Sequence, residues 1–299
     1  MGFETVTRRK SKLRMALSGV SGSGKTLGAL YIAYGITGDW GKIALIDTEH
    51  ERARFYANRE DLGTGAFLYQ SMAAPFSPDR YKQMVKEGAD AVGPDGVVII
   101  DSLTHAWNAE GGVLDMKDKI ASRANMNSYT AWNEAGKAQT CLVNTIFSVG
   151  CHTIVTMRSK MEYAMQTDDR GKQKPVKVGL APVQRDDTEY EFDIVLDIGR
   201  DHIATASKDV TFLDAYGQII TPALGKTLAE WLGQGKEQPA VPTCAACNAV
   251  IAATSTRTVE QIVAGTQKES GMVMCAKCFS AWYKAKNTKP EDGAANGNP

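Results

Sequence analysis

One eight-residue segment near the N-terminus restricts the possible folds more than any other feature of the sequence. It reads Gly-Val-Ser-Gly-Ser-Gly-Lys-Thr and fits the pattern G-x-x-x-x-G-K-[ST], whose backbone amides surround phosphate groups. Glycine permits that close approach because it takes backbone conformations that side chains forbid. A buried strand at 13–17 and a helix at 27–34 are expected on either side, as the pattern requires. The predicted phosphate-binding residues are Gly19, Val20, Ser21, Gly22, Ser23, Gly24, Lys25 and Thr26.

The last two residues of this segment have separate roles in the pattern. Lys25 is expected to reach the β- and γ-phosphates of ATP, and the Thr26 hydroxyl is expected to ligate Mg²⁺. The alternative is a glycine- and serine-rich turn that contains Lys-Thr by chance. The flanking strand and helix favour phosphate binding.

Two further short apolar runs end in acidic residues. Residues 43–47 are followed by Thr-Glu-His, which includes Glu49, and residues 96–102 contain Asp101. Ligands of open α/β sheets lie at the carboxyl ends of the strands. Glu49 is therefore expected to polarise the attacking water, and Asp101 is expected to hold Mg²⁺ together with Thr26. The alternative for Glu49 is a solvated acid in a loop.

The first of these two strand ends resembles the RecA recombinase family. The residues are Ile46-Asp47-Thr48-Glu49-His50, followed by Arg54-Phe55-Tyr56-Ala57, and the Asp-Ser at 101–102 is also typical of that family. In the family, a Glu ending the second core strand activates water, and an aromatic residue seven positions later stacks on adenine. The resemblance therefore implies these roles for Glu49 and Tyr56, whereas the alternative for Tyr56 is a core aromatic.

The resemblance covers roughly residues 12–200 and implies an α/β fold. The expected architecture is a RecA-like P-loop NTPase core with a mostly parallel sheet flanked by helices, followed by a small zinc-binding domain. Bacteriophage-type ATPases of recombination and single-strand annealing look most similar. An N-terminal polymerisation domain is not evident.

A fourth strand is expected at 151–156, and in the RecA-like group its end carries a polar sensor of the γ-phosphate. The family often has Gln there, but this chain has Thr156, Met157 and Arg158. Thr156 and Arg158 are the sensor candidates. The alternative for Arg158 is a surface ion pair.

Residues 161–182 show no folding period and carry four positive charges within eight residues. The second DNA-binding loop of the RecA-like group lies here, so single-stranded DNA is the expected partner. The alternative is a solvated hairpin tip. A cation from this region could instead complete the ATP site of a neighbouring subunit, which implies a homo-oligomeric ring or filament. The DNA-binding candidates are Arg170, Lys172, Lys174 and Lys177, and the trans-acting candidates are Lys174, Lys177 and Arg185.

Other segments have weaker signals. Periodicity predicts helices at 78–91, 133–148 and 224–232, with Cys141 in the core. Residues 190–198 are predicted to form a fifth strand. Residues 203–212 and 215–221 are predicted to form a hairpin whose turn contains 216–218. Residues 108–128 have weak periodicity and correspond to the first DNA-facing loop of the RecA-like group.

The composition suits a large domain and a small one. Of 299 residues, 43% are hydrophobic, and the formal net charge is zero, so nucleic-acid contact requires a local patch. The sequence contains no apolar stretch of membrane-spanning length and no signal-peptide core, so a cytoplasmic protein is expected, in the host cytoplasm if a phage encodes it. The predicted organisation is a lead-in at 1–12, an ATPase domain at 13–235, a linker at 236–243, a cysteine module at 244–286 and a disordered tail at 287–299.

Four cysteines near the C-terminus form the pattern C-x₂-C-x₂₇-C-x₂-C. Two such pairs can place four thiolates around structural Zn²⁺, and so small a module needs help from a metal to fold. A redox dithiol pair is the alternative. Trp282, with neighbouring lysines, could stack on single-stranded DNA or simply cap the module. The predicted ligands are Cys244, Cys247, Cys275 and Cys278.

These observations predict an enzyme that converts ATP to ADP and phosphate, stimulated by single-stranded DNA in recombination, annealing or repair. Ring-type helicases and loaders share the same core and remain alternatives. So do a small-molecule kinase and a nucleotide-switched assembly protein with negligible turnover.

Overall fold

A nine-stranded, mostly parallel sheet organises the first of two units, Met1–Lys236, and the second unit is Glu237–Pro299. The computed structural model describes residues 5–123, 127–167, 173–236, 242–247, 250–254 and 256–287, and gives the backbone alone at 161–167 and 173–180. The strands are β1 (Arg14–Gly19), β2 (Ile43–Asp47), β3 (Leu68–Ser71), β4 (Val97–Asp101), β5 (His152–Thr167), β6 (Gln173–Pro182), β7 (Ile194–Ile198), β8 (Ile203–Asp209) and β9 (Gly217–Ile219). The helices are α1 (Lys25–Thr37), α2 (Pro78–Val92), α3 (Thr104–Asn108), α4 (Val113–Ala121), α5 (Ser128–Ser148), α6 (Pro222–Leu232), α7 (Val259–Ser270) and α8 (Ala276–Asn287).

The order of the strands decides which strand ends meet. The sheet runs β3-β2-β4-β5-β1-β7-β8-β9, with β6 paired to β5 outside this path. The first six strands in this order pair in parallel, and β8 and β9 continue the sheet in antiparallel fashion. Because β5 lies between β1 and β4, its residues 156–158 lie beside the end of β1 on one side and Asp101 on the other.

The central strand β4 shows why the sheet is stable. Its residues 97–100 are fully buried, and they alternate between two apolar clusters on opposite faces of the sheet. Val97 and Ile99 join one cluster, and Val98 and Ile100 join the other. Continuous β-branched sequence is typical of a parallel strand covered by helices on both faces. The predicted α/β class with a mostly parallel sheet is confirmed.

Cys141 is a correction to the predicted core. It is exposed, whereas Ala135, Leu142 and Ile146 of the same helix α5 are buried. Successive helical residues differ by about 100° in direction, so the residue beside a buried leucine can face outward. The small apolar character of cysteine does not by itself decide its side of the helix.

The segment at 161–182, predicted to lack regular structure, is a second correction. Strand β5 continues past Thr156 as far as Thr167 and pairs with β6 in an antiparallel hairpin. Met161, Tyr163 and Met165 alternate with polar or small residues, which is a strand pattern that the charge run obscured. Of the DNA-binding candidates, Arg170 and Lys172 lie outside the described residues. The backbone of β6 contains the other two, Lys174 and Lys177.

Several boundaries also differ from the predictions. Helix α4 lies within 108–128, where a DNA-facing loop was expected, and the short edge strand β3 was not predicted. A 3₁₀ turn at Thr188–Glu191 replaces the start of the predicted fifth strand. Residues 217 and 218 belong to strand β9 rather than to the hairpin turn. These short elements depend on pairing or packing with distant segments, which local periodicity does not reveal.

The lead-in segment packs against the end of helix α6. The Arg8 guanidinium lies 3.9 Å from the ring centroid of Trp231 and donates hydrogen bonds to the Trp231 carbonyl and to the Gln234 side chain. Stacking of arginine on an indole ring is favourable, so the segment is part of the first unit.

The second unit is small. Its described residues form helices α7 and α8 and bury one short apolar cluster, which comprises Cys244, Ile251, Ile262 and Met274. Helix α7 begins with a reciprocal capping box between Thr258 and Gln261. In the parts of the chain that the structure describes, no helix combines the length and apolarity that crossing a bilayer requires.

Candidate nucleotide site and cysteine cluster

The carboxyl ends of β1, β2 and β4, together with Arg158 of β5, surround a cavity of about 230 Å³. Position at this edge follows from the parallel sheet, since ligands of open α/β sheets bind there. The cavity brings together most of the predicted nucleotide-binding residues. Its lining comprises Ser21, Gly22, Gly24, Lys25, Thr26, Glu49, Arg52, Tyr56, Asp101 and Arg158.

The phosphate-binding segment depends on close backbone packing. A Cβ atom at Gly19 would lie 2.6 Å from the Ile198 carbonyl oxygen, so only glycine fits there. Gly24 has φ +92° and precedes α1, whose first amides lack acceptors within the helix. The Ser23 hydroxyl is buried and has no hydrogen-bond partner among the described residues. Free donors at a helix N-terminus form a site for an anion such as phosphate.

Lys25 is held at the base of this segment. Its Nζ donates a hydrogen bond of 2.8 Å to the Val20 carbonyl. Burial lowers the pKa of Lys25, and the nearby carboxylates of Asp101 and Glu49 act in the opposite direction. A phosphate group would provide a stronger acceptor than the carbonyl, because hydrogen bonds between charged partners are the stronger ones.

Thr26, Asp101 and Thr156 form one hydrogen-bonded set from three separate elements. The Thr26 hydroxyl donates to one Asp101 oxygen at 2.6 Å, and the Thr156 hydroxyl donates to the other. Burial raises the pKa of Asp101, and the two hydroxyl groups oppose that shift. A hydroxyl and a carboxylate are the oxygen ligands that Mg²⁺ prefers, so this set fits the ion that ATP requires. Thr156 therefore contacts Asp101, the candidate Mg²⁺ ligand, and its role as a sensor stays a prediction.

Glu49 is not a free carboxylate in this structure. Arg158 Nε donates to Glu49 Oε1 at 2.7 Å, its second nitrogen donates to Oε2, and Ser102 Oγ donates to Oε1 at 3.1 Å. Burial by itself raises the pKa of Glu49, but Arg158, His105 and Ser102 together lower it overall. Glu49 is consequently an ionised carboxylate bound by an arginine. The surface ion pair considered for Arg158 is instead a contact inside the cavity.

The Asp47 side chain holds the loop that carries Glu49 through hydrogen bonds to the loop backbone. The buried Asp47 carboxylate accepts hydrogen bonds from the Glu49 amide at 2.6 Å and the Ala53 amide at 3.0 Å. Tyr56, at the end of the following 3₁₀ turn, lines the cavity and is half-buried. Burial raises its pKa, and an aromatic ring lining the cavity is suited to stacking on a base.

Three residues of the site were not predicted from the sequence. Arg52 lines the cavity three residues after Glu49, Ser102 binds Glu49, and His105 contributes to lowering its pKa. Burial lowers the pKa of His105 itself. Arg52 and Ser102 adjoin recognised motifs, which was the available signal. His105 reaches the site only because helix α3 folds back beside Thr48, whose hydroxyl lies 2.8 Å from its ring nitrogen.

Arg185 lies outside the nucleotide cavity of its own chain, so its predicted role in the site of a neighbouring subunit stays a prediction. Arg185 lines a different cavity with Gln139 and Glu191. Lys174 and Lys177 have no described side chains, so their predicted roles remain predictions.

The four C-terminal cysteines form a compact cluster. All four sulfur atoms lie within 4.8 Å of one another, and the Cys247 and Cys275 sulfurs are 3.9 Å apart. Tetrahedral Zn²⁺ with bonds of about 2.3 Å requires sulfur separations of about 3.8 Å, so the donor set fits this ion. Backbone amides, that of Cys275 first, lower the pKa of Cys244 to about 6, and the neighbouring thiols raise that of Cys278 to about 12.

Comparison with known proteins gives one family. The model of the family described as AAA domain matches residues 11–220, which cover the P-loop, Glu49, Asp101 and Arg158. The comparison with curated proteins gave no match.

Proposed function

Because the chain belongs to the AAA-domain family of P-loop ATPases, we propose that it hydrolyses ATP to ADP and phosphate and that single-stranded DNA stimulates this reaction. The main support for ATP hydrolysis is the cavity that is lined by Lys25, the Thr26–Asp101 pair and Glu49. Binding alone would need the first three groups, but not a carboxylate placed to orient water.

Each residue of the site has a separate role in the proposed hydrolysis of ATP. Lys25 and the amides at the start of α1 hold the β- and γ-phosphates, and Tyr56 stacks on the base. Mg²⁺ held by Thr26 and Asp101 would neutralise charge on the phosphates. Glu49 orients the attacking water and accepts its proton. Removing one such stabilising donor commonly costs about 10²–10³ in rate, so Lys25→Ala serves as the inactive reference.

Arg158 has to release Glu49 before that carboxylate can act on water. A γ-phosphate offers the guanidinium a second anion within the same cavity, and arginine binds phosphate well. Arg158 then becomes the sensor that distinguishes ATP from ADP. Arg158→Ala should weaken binding of a non-hydrolysable ATP analogue by about tenfold, the loss of one charged hydrogen-bond pair, and leave ADP binding unchanged. Equal weakening of both nucleotides would contradict this role.

A surface of aromatic rings with a nearby cation supports single-stranded DNA as the partner. Trp107 and Trp132 stack with ring centroids 6.1 Å apart, and Lys117 Nζ lies 5.3 Å from the Trp132 centroid. Tyr129, in the same helix as Trp132, is 75% exposed. Aromatic rings with nearby cations bind single strands through base stacking. Helix α3, which carries Trp107, begins three residues after Asp101 in the chain.

The test is steady-state ATP hydrolysis with and without single-stranded DNA, at low and high salt. We expect strong stimulation that declines with salt, because phosphate contacts release counterions. Tyr129→Ala should reduce stimulation and leave basal turnover intact. Tyr190→Ala is the matched control, since Tyr190 is 65% exposed but lies outside this surface. Turnover that no nucleic acid alters would refute the DNA proposal and leave the ATPase proposal intact.

One observation favours a second candidate, a nucleotide-switched assembly protein. Glu49 is bound by Arg158 and Ser102, and turnover is negligible if ATP does not release it. In that case Glu49→Gln would leave the hydrolysis rate unchanged. Under the principal proposal the same variant loses activity and retains ATP binding. A homo-oligomer, in which a neighbour supplies a cation, is part of either candidate.

For the second unit we propose structural Zn²⁺ at Cys244, Cys247, Cys275 and Cys278. Four thiolates leave no open position for catalysis, so the metal would serve folding. Metal content of the purified chain, with Cys275→Ser as the comparison, tests this assignment.

A further inference from the structure

A second cavity of about 260 Å³ lies apart from the nucleotide site in the first unit. Helix α5 forms one wall, and the segment from Arg185 to the 3₁₀ turn Thr188–Glu191 forms the other. Its volume is below the roughly 300 Å³ at which pockets for drug-sized molecules begin, so it suits a smaller group. The lining comprises Gln139, Thr140, Val143, Asn144, Arg185, Asp186, Asp187, Thr188 and Glu191.

Gln139 is one of the residues that line this cavity, and its side-chain oxygen is a buried acceptor without a donor. The residue is only 1% exposed, and its Oε1 has no hydrogen-bond partner among the described residues. Leaving a buried polar atom unpaired costs free energy, so such an atom points to a missing partner.

The orientation of the Gln139 amide is fixed by its neighbours. Gln184 Nε2 donates to the Leu103 carbonyl at 3.1 Å, and the Arg185 amide donates to Gln184 Oε1 at 2.9 Å. Gln184 therefore presents its oxygen to Gln139, whose Nε2 donates to it at 3.1 Å. Turning the Gln139 amide over would place two oxygens against each other. The unpaired atom is consequently an acceptor, and the absent group must be a donor.

The charges of the lining indicate that this donor is cationic. Asp186, Asp187 and Glu191 contribute three carboxylates, and Arg185 contributes one guanidinium. The carboxylates do not converge on a single metal ion, because among the described residues only the cysteine cluster has that spacing. A group with several N–H donors can instead satisfy Gln139 and reach separated carboxylates.

We propose that this cavity binds an alkyl guanidinium or ammonium group, through Gln139 Oε1 and the carboxylates of Asp187 and Glu191. The source is either a free amine or a basic side chain of another chain, since both present the same chemistry. A chain of hydrogen bonds connects this cavity with the nucleotide site, because Gln184 donates to the Leu103 carbonyl and the Leu103 amide donates to the Thr156 carbonyl.

The experiment titrates the full-length protein with n-butylguanidinium, n-butylammonium and n-butanol, followed by calorimetry. We expect saturable binding of the two cations and none of butanol. Glu191→Gln should weaken cation binding by about three- to tenfold, as expected for loss of one charge-assisted hydrogen bond. Asp187→Asn should do the same, because asparagine tolerates the Asp187 φ of +67°. Glu189→Gln is the matched control, since Glu189 belongs to the same 3₁₀ turn but does not line the cavity.

Gln139→Leu should also weaken cation binding, and the carboxylate variants keep the test decisive if that variant does not fold. Binding of butanol equal to that of the cations, no saturable binding, or binding that Glu191→Gln and Asp187→Asn leave unchanged would overturn the proposal. The source follows from sedimentation of the same samples. If the donor is a side chain of a second copy, butylguanidinium dissociates the oligomer; if it is a free amine, the oligomeric state is unaffected.

Discussion

The two units of this chain are stabilised in different ways. The ATPase unit buries whole strands on both faces of a sheet, as residues 97–100 of β4 show. The described residues of the cysteine unit bury one cluster of four apolar side chains, and one of these, Cys244, is itself a candidate metal ligand. We therefore expect apolar burial to suffice for the first unit, and the second unit to need a bound ion to remain folded. This contrast predicts that the units respond separately to the same treatments.

Removal of the metal should give the largest effect. Structural zinc contributes about 10–16 kcal/mol in small zinc domains, which exceeds the stability of a module this size. Cys275→Ser or a chelator should therefore unfold the second unit alone. Amide hydrogen exchange by mass spectrometry reads both units in one sample. Loss of protection in α7 and α8 with unchanged protection in the sheet is expected. Protection of α7 that survives chelation would show that the small core folds the unit unaided.

A substitution that creates a cavity beside the sheet should destabilise the ATPase unit and leave the second unit unaffected. Ile99→Ala removes a fully buried side chain from the central strand and should lower the free energy of unfolding of the ATPase unit by about 2–5 kcal/mol. Urea unfolding monitored by hydrogen exchange should show no change in the metal-loaded second unit. Ile219→Ala is the control, since Ile219 is 59% exposed on the edge strand. Comparable losses for the two variants would mean that apolar burial does not dominate this unit.

Acid should weaken the ATPase unit through His152. Its Nδ1 accepts a hydrogen bond from the Leu13 amide, and burial, with the charges of Lys12 and Arg14, lowers its pKa to about 4. The unfolded side chain has a pKa of about 6.5, so between these values the unfolded chain binds more protons. The free energy of unfolding should fall by up to about 3 kcal/mol as the pH drops from about 6.5 to about 4.

Equilibrium urea unfolding across this pH range measures that slope, and His152→Asn should flatten it. His202→Asn, which alters an exposed histidine, should not. An unchanged slope in the His152 variant would assign the acid sensitivity to other groups.

The smallest expected effect concerns local structure in the second unit. Thr258 caps helix α7 in a reciprocal box with Gln261. Thr258→Ala should cost about 1 kcal/mol in the metal-loaded protein, and Thr258→Ser should retain the cap. Thermal unfolding of the second unit checks both. A loss as large as that caused by Cys275→Ser would mean that helix formation, and not the metal, limits this unit.

The site could be predicted only as far as its motifs are contiguous. The phosphate-binding pattern occupies eight adjacent positions, 19–26, and is therefore visible in the sequence. Two strand ends were recognisable because apolar runs stop at Asp47 and Asp101. The hairpin of β5 and β6 was not predicted, because the charge run in this segment obscured its alternation of apolar and polar residues. Cys141 was misplaced because one position along a helix separates its two faces.

The sequence by itself determined that the chain contains a P-loop α/β core and a four-cysteine cluster, because local backbone chemistry and fixed spacing specify both. Only the tertiary structure decided which side chains form hydrogen bonds with one another in the site. The order of strands places β5 between β1 and β4, which brings Thr156 to Asp101 and Arg158 to Glu49. Those residues are 55 and 109 positions apart, so hydrogen bonds between them exist only once the sheet has formed. The same long-range packing leaves the Gln139 oxygen without a donor.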